Sequence, residues 1–306
     1  MILQLWKDSR ALTVTAAVML AAFALSLMGL LIDPRSIGGM PAWLKPAKFA
    51  ISSAIFAASI AWIFRYLPAA ERMKRWVGPG LAAILLLENL IIDFQAARGK
   101  TSHFNVGTVE DSVLYGVMGV SIGILWVLSV WISVALFRQK FADPVWGWAL
   151  RLGMLITVLG SASGGLMTTP NAEQRAAIRQ HHQPLTVGAH TVGAPDGGAG
   201  LAGVGWSTQH GDLRIPHFLG LHGLQIIPLL VWLRQRKSTT RFVFAISGAY
   251  AALFLILNWQ ALRGESLVEP SRLTLTILGV WLVATVVGTL VSSERSGVRM
   301  DAVHES

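Results

Sequence analysis

Eight apolar runs, each close to the length that a bilayer requires, divide this sequence. They cover residues 11–32, 47–67, 77–97, 113–137, 146–168, 216–234, 242–262 and 272–291. About 20 apolar residues in a helix cross the hydrocarbon core of a bilayer. Because lipid offers no hydrogen-bond partner to the backbone, such runs are expected to be helical. The sequence therefore predicts an all-α protein with eight transmembrane helices.

The composition favours the same class of protein and excludes others. Hydrophobic residues make up 53% of the 306 residues and charged residues only 13%, too few to cover a soluble domain. The net charge of +9 does not predict nucleic-acid binding, because the basic residues stand at the ends of the apolar runs. The absence of cysteine excludes disulfides and thiolate chemistry. The expected partner is the lipid bilayer.

The distribution of basic residues predicts the orientation of the helices. With the amino terminus in the cytoplasm, 15 of the 25 basic residues fall in cytoplasmic segments. These are Lys7, Arg10, Arg65, Arg72, Lys74, Arg75, Arg138, Lys140, Arg151, Arg234, Arg236, Lys237, Arg241, Arg295 and Arg299. We therefore expect a multi-pass protein of the bacterial inner membrane with both termini in the cytoplasm.

A twelve-residue stretch that occurs twice indicates an internal duplication. Residues 90–101 read LIIDFQAARGKT and residues 255–266 read LILNWQALRGES, with Leu, Ile, Gln, Ala, Arg and Gly in common. Weaker similarities in the same order connect the first run with the fifth and the second with the sixth. They predict two tandem, parallel four-helix repeats, residues 1–140 and 141–306.

The longest segment between apolar runs, residues 169–215, is predicted to be external. It is rich in glycine and contains His181, His182, His190 and His210. Its weak apolar periodicity argues against a packed domain. Long loops of this kind are usually lids or binding elements, so we expect a lid or a contact with an external partner.

Polar residues inside the apolar runs are candidates for ligand contacts. Glu88 lies midway along the third run, where an unpaired carboxyl is costly, and its expected role is proton handling or pairing with a substrate charge. A structural pairing with an Arg or His is the alternative. Six further residues are expected either to line a ligand site or to form bonds between helices: Asp93, Gln95, Gln225, Asn258, Gln260 and Arg263.

The repeated Gln-x-x-Arg-Gly also has a purely structural interpretation. Arg98 and Arg263 can extend to the membrane interface, and Gly99 and Gly264 can end their helices as caps. Because most of these polar residues fall in the outer halves of the helices, we expect a bowl that opens outward. Glu88 would form its floor.

The sixth run contains the histidines best suited to a cofactor. His217 and His222 differ by about 140° on a regular helix, so they are not expected to hold one metal ion together. Single ligation of heme iron, or a hydrogen bond to a substrate, fits this spacing better. Pro228 is expected to kink the helix. The other candidates for cofactor contacts are Lys48, Arg98 and His103. No metal site and no catalytic residue is predicted.

Three segments look like those of an uncharacterised group of bacterial membrane proteins: PAWLKPAKF at 41–49, QAARG at 95–99 and PHFLGLH at 216–222. In architecture, with eight helices in two parallel repeats and polar outer helix ends, the chain resembles heme A synthase. The resemblance makes heme b the expected cofactor. That family has heme-ligating histidines on two helices of each half, whereas here His217 and His222 share one helix, so no catalytic residue is carried over.

Three functions are compatible with these predictions. The first is a membrane protein that binds a cofactor and is linked to heme or quinone redox chemistry. The second is a proton-coupled transporter of a small polar solute, with Glu88 as the proton carrier. The third is a non-enzymatic assembly or sensor protein whose long loop engages an external partner.

Overall fold

A computed structural model describes residues 2–234 and 237–294, with side chains described up to Ser292. Within these ranges the regular secondary structure is helical apart from two pairs of two-residue strands, so the predicted all-α class is confirmed. The helices are α1 (Ile2–Asp8), α2 (Arg10–Ile32), α3 (Leu44–Phe64), α4 (Glu71–Ala97), α5 (Val109–Arg138), α6 (Pro144–Ser163), α7 (Ala172–Arg179), α8 (Arg214–Leu221), α9 (Gly223–Arg234), α10 (Thr240–Leu262) and α11 (Arg272–Glu294). Arg236, Arg295 and Arg299, used in the orientation count, lie outside the described residues.

Seven of the described helical segments are long and apolar enough to cross a membrane. An eighth span is formed if α8 and α9, which are bent by 50° at their junction, are taken together. The predicted number of helices of spanning length and apolar composition is therefore found, by length and composition. The sixth apolar run differs from the expected single helix kinked at Pro228, because the helix breaks earlier, at His222.

Side-chain caps fix where several spanning helices begin. Ser9 accepts a hydrogen bond from the Leu12 amide at the start of α2, and Asp143 accepts from the Val145 amide at the start of α6. Thr239 does the same for α10. Such side chains satisfy amides that have no partner within the helix.

The first unit comprises the described residues up to Ala135, together with Met167–His190 and Pro195–Gly205. In it α2 packs against α3, and α4 packs against both. Strands β1 (Ser36–Ile37) and β2 (Met40–Pro41) form a hairpin whose turn is Gly38-Gly39. Both glycines have positive φ, which the tightest hairpin turns require.

The second unit comprises Leu136–Leu166, Thr191–Ala194 and the described residues from Trp206 onward. In it α6 packs against α8, α9 and α10, and α10 packs against α11. The buried core between α6, α9 and α10 includes Ile156, Ile227 and Val243. Strands β3 (Thr191–Val192) and β4 (Gly211–Asp212) pair antiparallel.

The segment 169–215 contains more regular structure than its composition predicted. Besides β3 and β4, it contains α7, which begins with a capping box. Asn171 accepts a hydrogen bond from the Gln174 amide, and the Gln174 side chain accepts one from the Asn171 amide. An Asn followed three residues later by Gln is a sequence signal for a helix start, so this helix could have been predicted.

The two copies of Gln-x-x-Arg-Gly end α4 and α10 with the same backbone motif. The amide of Lys100 donates to the carbonyl of Gln95, and the amide of Glu265 donates to the carbonyl of Gln260. In each copy the glycine has positive φ, 71° at Gly99 and 74° at Gly264. This is the Schellman arrangement, which glycine favours because it has no Cβ. Both glycines therefore cap their helices, as the structural interpretation predicted.

A second local motif also occurs in both units. Arg35 donates from its backbone amide and from Nε to Asp33, at 3.1 and 2.9 Å. Arg214 donates from the same two groups to Asp212, at 3.0 and 2.9 Å. The hydrogen bonds from Arg35 hold the pKa of Asp33 well below its usual range. The Asp33–Arg35 pair precedes α3 in the first unit, and the Asp212–Arg214 pair stands at the start of α8 in the second.

Candidate functional site

Glu88 is the most unusual polar residue of the first unit. Its side chain lies on the buried face of α4 with only 3% of its surface exposed. Neither carboxyl oxygen has a hydrogen-bond partner among the described residues. The neighbouring Asn89 differs, because its amide donates to the Ser53 hydroxyl on α3 at 2.8 Å. A buried carboxyl without a hydrogen-bond donor is destabilising. Protonation of Glu88, or a hydrogen bond from a ligand, would reduce this cost.

Lys45 connects Glu88 with an aromatic cluster at the start of α3. Its charge acts electrostatically on Glu88, and its Nζ lies 5.6 Å from the centre of the Phe49 ring. The imidazole of His103 lies 5.5 Å from the same ring, and its Nδ1 is 3.1 Å from the Ser102 hydroxyl. The predicted residue His103 is therefore brought to the aromatic end of the site.

Phe104 occupies the centre of this cluster in a strained conformation. Its φ of 64° is unusual for a residue with a side chain, and its carbonyl accepts a hydrogen bond from the Val187 amide at 2.8 Å. Its ring lies 4.9 Å from that of His190 and 5.9 Å from that of Tyr115. Strained residues of this kind are concentrated at functional sites.

His190 is held by a carboxylate. Its Nδ1 lies 2.7 Å from Asp196, and its backbone amide also donates to that carboxylate. Because a carboxylate can only accept here, Nδ1 is the donating nitrogen of the His190 ring. We call Lys45, Phe49, Glu88, His103, Phe104 and His190 the acid–histidine cluster; all six belong to the first unit.

Two of the predicted residues, Gln95 and Arg98, belong instead to an ion-pair network between α4 and α5. Its centre is Asp111, which is 2% exposed and accepts from Gln95 at 2.9 Å and from Lys100 at 2.9 Å. Thr108, at the start of α5, donates to the same carboxylate and accepts from its backbone amide. Arg98 reaches Asp111 at 3.3 Å and Glu110 at 2.7 Å. The network closes the turn between the two helices.

Two other predicted residues of the first unit have simpler surroundings. Lys48 donates to the Val204 carbonyl at 2.8 Å, which ties α3 to the segment 195–205. Asp93 is half-buried on α4 and forms no hydrogen bond or ion pair with the described residues. It lies five residues after Glu88, about 140° around the helix, so the two carboxyls occupy different faces.

In the second unit, the break between α8 and α9 is produced by close packing against α6. A Cβ atom at Gly160 would overlap the backbone of Gly220. At the break, the Thr157 hydroxyl accepts from the Leu224 amide at 2.9 Å and donates to the Leu221 carbonyl at 3.3 Å. One side chain from α6 thus replaces hydrogen bonds that a continuous helix would make internally.

His217 and His222 lie on either side of this arrangement and face different groups. His217 donates from Nδ1 to the Gly160 carbonyl at 2.7 Å, with its ring against Gly164, where a Cβ would lie 2.8 Å from Cε1. His222 donates from Nδ1 to the Phe218 carbonyl at 2.8 Å, and its ring is 4.2 Å from that of Phe218. The two imidazoles therefore bond to carbonyl groups of different helices.

The four remaining predicted residues lie on α9, on α10 or just after α10. The amide oxygen of Gln225 is buried, and Asn258 donates to the Phe254 carbonyl at 2.8 Å. Gln260 donates to the Ser266 carbonyl at 2.7 Å and lines a cavity of about 10 Å³, the space of one water molecule. Arg263 donates to Glu265 at 2.8 Å and lies over the Trp259 ring.

Glu265 anchors the turn from α10 to α11. A hydrogen bond from the Thr274 hydroxyl, together with those from Arg263 and Ser271, lowers the pKa of Glu265 to about 2 against the opposing effect of burial. The carboxylate is therefore ionised at neutral pH and serves as a fixed acceptor. Glu265 is thus the central acceptor at its turn in the second unit, as Asp111 is at the turn between α4 and α5 in the first.

The site residues not predicted from the sequence are Lys45, Phe104 and the pair of His190 with Asp196. Lys45 stands one helical turn before Phe49 in the segment PAWLKPAKF, so its spacing is the available signal. Nothing in the local sequence places residues 104 and 190 together. The backbone bonds that do so join residues 104–106 to residues 185–187, far along the chain.

In comparisons with known proteins, no family model, no curated protein and no solved structure matches this chain. The similarity in architecture to heme A synthase therefore stays a prediction.

Proposed function

We propose that this integral membrane protein binds a quinone-type cofactor at the acid–histidine cluster of its first unit. The observation that carries the proposal is Glu88, whose buried carboxyl has no hydrogen-bond partner among the described residues. A quinol presents the O–H donor that this carboxyl lacks. When bound, such a group would supply two-electron, two-proton redox chemistry.

The chemistry of the neighbouring side chains fits a planar, largely apolar ring with two oxygen atoms. The Phe49 and Phe104 rings offer aromatic surfaces, and both flank His103. The Lys45 ammonium contributes N–H groups suited to a carbonyl oxygen. Aromatic lining with a few convergent polar groups is typical of cofactor sites.

Within this site, the Glu88 carboxylate would accept a hydrogen bond from the quinol O–H. Lys45 would orient that carboxyl through its charge, and Asp196 would keep His190 in one tautomer. Toward the other end of α4, the buried residues Val77, Leu81 and Ile84 are apolar. This one-sided distribution of polar groups supports binding from one end over transport across the membrane.

The proposal extends to the origin and the orientation of the chain. The shared helix ends of α4 and α10, and the Asp-x-Arg pair in each unit, support two units derived from one duplicated four-helix module. The basic residues near the ends of the spans support cytoplasmic termini in a bacterial inner membrane. Segment 169–215 would then be external, and its bonds to residues 104–106 support a role as a lid over the cluster.

Replacing Glu88 with leucine should distinguish a role of this residue in ligand binding from a role in folding. We expect affinity for a short-chain quinol to fall by about tenfold or more, because a hydrogen bond to a carboxylate is worth roughly 1.5–3 kcal/mol. The unfolding midpoint should rise or stay unchanged, because a buried carboxyl without a donor is removed. Quinol titration and detergent-based unfolding of the purified protein measure the two quantities.

The matched control is Glu173→Leu, which changes an exposed carboxylate on α7 in the same unit. It should leave quinol affinity unchanged. If Glu88→Leu binds quinol as tightly as the natural protein does, the assignment of Glu88 is wrong. Loss of both binding and stability in Glu88→Leu would instead show that the residue is structural.

A second function, heme b binding, is favoured by the geometry of His222. Because Nδ1 donates to the Phe218 carbonyl, Nε2 is the nitrogen that can meet a ligand, and this pattern is common for metal-bound histidines. His217 fits less well, because its ring is packed against Gly164 of α6.

Protein purified from heme-replete cells should show a Soret absorbance if the heme assignment is correct. The band should disappear in His222→Ala and persist in His181→Ala, which alters an exposed histidine of the first unit. A colourless natural protein without extractable heme would eliminate this second function. Such a result would leave the quinone assignment untouched.

A further inference from the structure

An open groove lies at the first turn of α4, at the opposite end of that helix from the ion-pair network. It is lined by Glu71, Arg72, Arg75 and Trp76 and has a volume of about 640 Å³. All four residues belong to the first unit, and none of them takes part in the acid–histidine cluster. The groove therefore represents a separate feature of the molecule.

The charges that line this groove are not balanced. Glu71 forms an ion pair with Lys74, which also donates to the Phe64 carbonyl, so these two charges neutralise each other. Arg72 and Arg75, by contrast, form no hydrogen bond or ion pair with any described residue. They are three positions apart and hence share one face of α4. The groove presents two guanidinium groups that lack a counter-ion.

The length of α4 allows this face to lie at the depth of lipid headgroups. Its 27 residues extend about 40 Å, whereas the hydrocarbon core of a bilayer is about 30 Å thick. If α4 crosses the membrane close to the bilayer normal, a turn or more projects into the headgroup regions. Trp76, 72% exposed, lies one turn after Arg72. Tryptophan at this depth is typical of the membrane interface.

We propose that this groove binds the phosphate of an anionic phospholipid such as phosphatidylglycerol. The two guanidinium groups would donate to phosphate oxygens, as arginine commonly does in fork geometry. The indole of Trp76 would pack against the glycerol region, and the groove volume suits a headgroup. The proposal rests on the groove and its free arginines, and it does not depend on a quinone at Glu88.

The experiment compares lipid binding by the full chain and by Arg72→Gln/Arg75→Gln. Native mass spectrometry in neutral detergent would record bound phosphatidylglycerol, with phosphatidylcholine as the zwitterionic reference and inorganic phosphate as a competitor. We expect the double variant to lose about 30-fold in phosphatidylglycerol affinity, since each basic residue near a membrane surface contributes on the order of 1 kcal/mol.

The matched control is Arg138→Gln/Arg241→Gln, which removes two exposed arginines at the ends of α5 and α10. Retained binding by the control and loss by Arg72→Gln/Arg75→Gln would support a specific site. Equal losses in both double variants would show unspecific charge attraction and overturn the proposal. Binding that inorganic phosphate displaces at equal concentration would show that a free anion, rather than a lipid, is recognised.

Discussion

Replacing Gly160 with valine is expected to reduce the free energy of unfolding by about 3 kcal/mol or more. A Cβ at this position would overlap the backbone of Gly220, and neither backbone can yield as a flexible side chain could. Overpacking of this kind usually costs about 1–3 kcal/mol, and here it also separates Thr157 from the helix break that it bridges. Unfolding of the purified protein by SDS titration in mixed micelles measures the loss.

Gly248→Val provides the matched control on α10 of the same unit. A Cβ at Gly248 would meet no atom of the described residues within 4 Å. We therefore expect a change within about 0.5 kcal/mol, as is usual for substitutions that disturb no contact. If Gly160→Val were as stable as Gly248→Val, the close packing of α6 against α8 would be refuted.

Replacing Asp111 with asparagine is expected to destabilise the protein by about 3 kcal/mol. The carboxylate is 2% exposed and accepts from Gln95, Arg98, Lys100 and Thr108. Asparagine preserves the shape, but it leaves two cations without their buried counter-charge. Removal of one partner from a buried ion pair typically costs 3–5 kcal/mol. Because Arg98 and Lys100 are partly exposed, we expect the lower end of this range.

Glu110→Gln tests whether burial, rather than charge alone, is decisive. Glu110 also pairs with Arg98, at 2.7 Å, but its side chain is 60% exposed. Exposed ion pairs contribute at most about 1 kcal/mol, so this substitution should have a small effect. Equal destabilisation by Glu110→Gln and Asp111→Asn would contradict the central role given to Asp111.

The spanning helices could be predicted because their signal is local. Each apolar run is long enough on its own to identify a helix, and caps such as Asp143 and Gly99 mark the ends. The helix break at His222 could not be predicted in the same way. It depends on a hydroxyl from Thr157 and on glycine contacts between segments about 60 residues apart. Pro228, the local signal for a kink, is accommodated inside α9.

The candidate site was predictable only in part for the same reason. Glu88 was identified because a carboxyl in an apolar run is conspicuous by itself, and His103 because it closely follows the repeated motif. For Gln95 and Arg98 the sequence left a ligand contact and a structural role open, because their partner, Asp111, lies across a turn. His190 and Asp196 meet Phe104 through distant backbone pairing, which no local pattern reveals.

The two Schellman ends show that one main-chain geometry can carry different side-chain chemistry. The residue after the glycine is Lys100 in one copy and Glu265 in the other, so the same scaffold presents opposite charges. Each charged side chain forms an ion pair with a residue of opposite charge: Lys100 with Asp111, and Glu265 with Arg263. Reversing the charge at such a turn would therefore require two coordinated substitutions, one at each member of the ion pair. The backbone conformation of the helix end could stay the same.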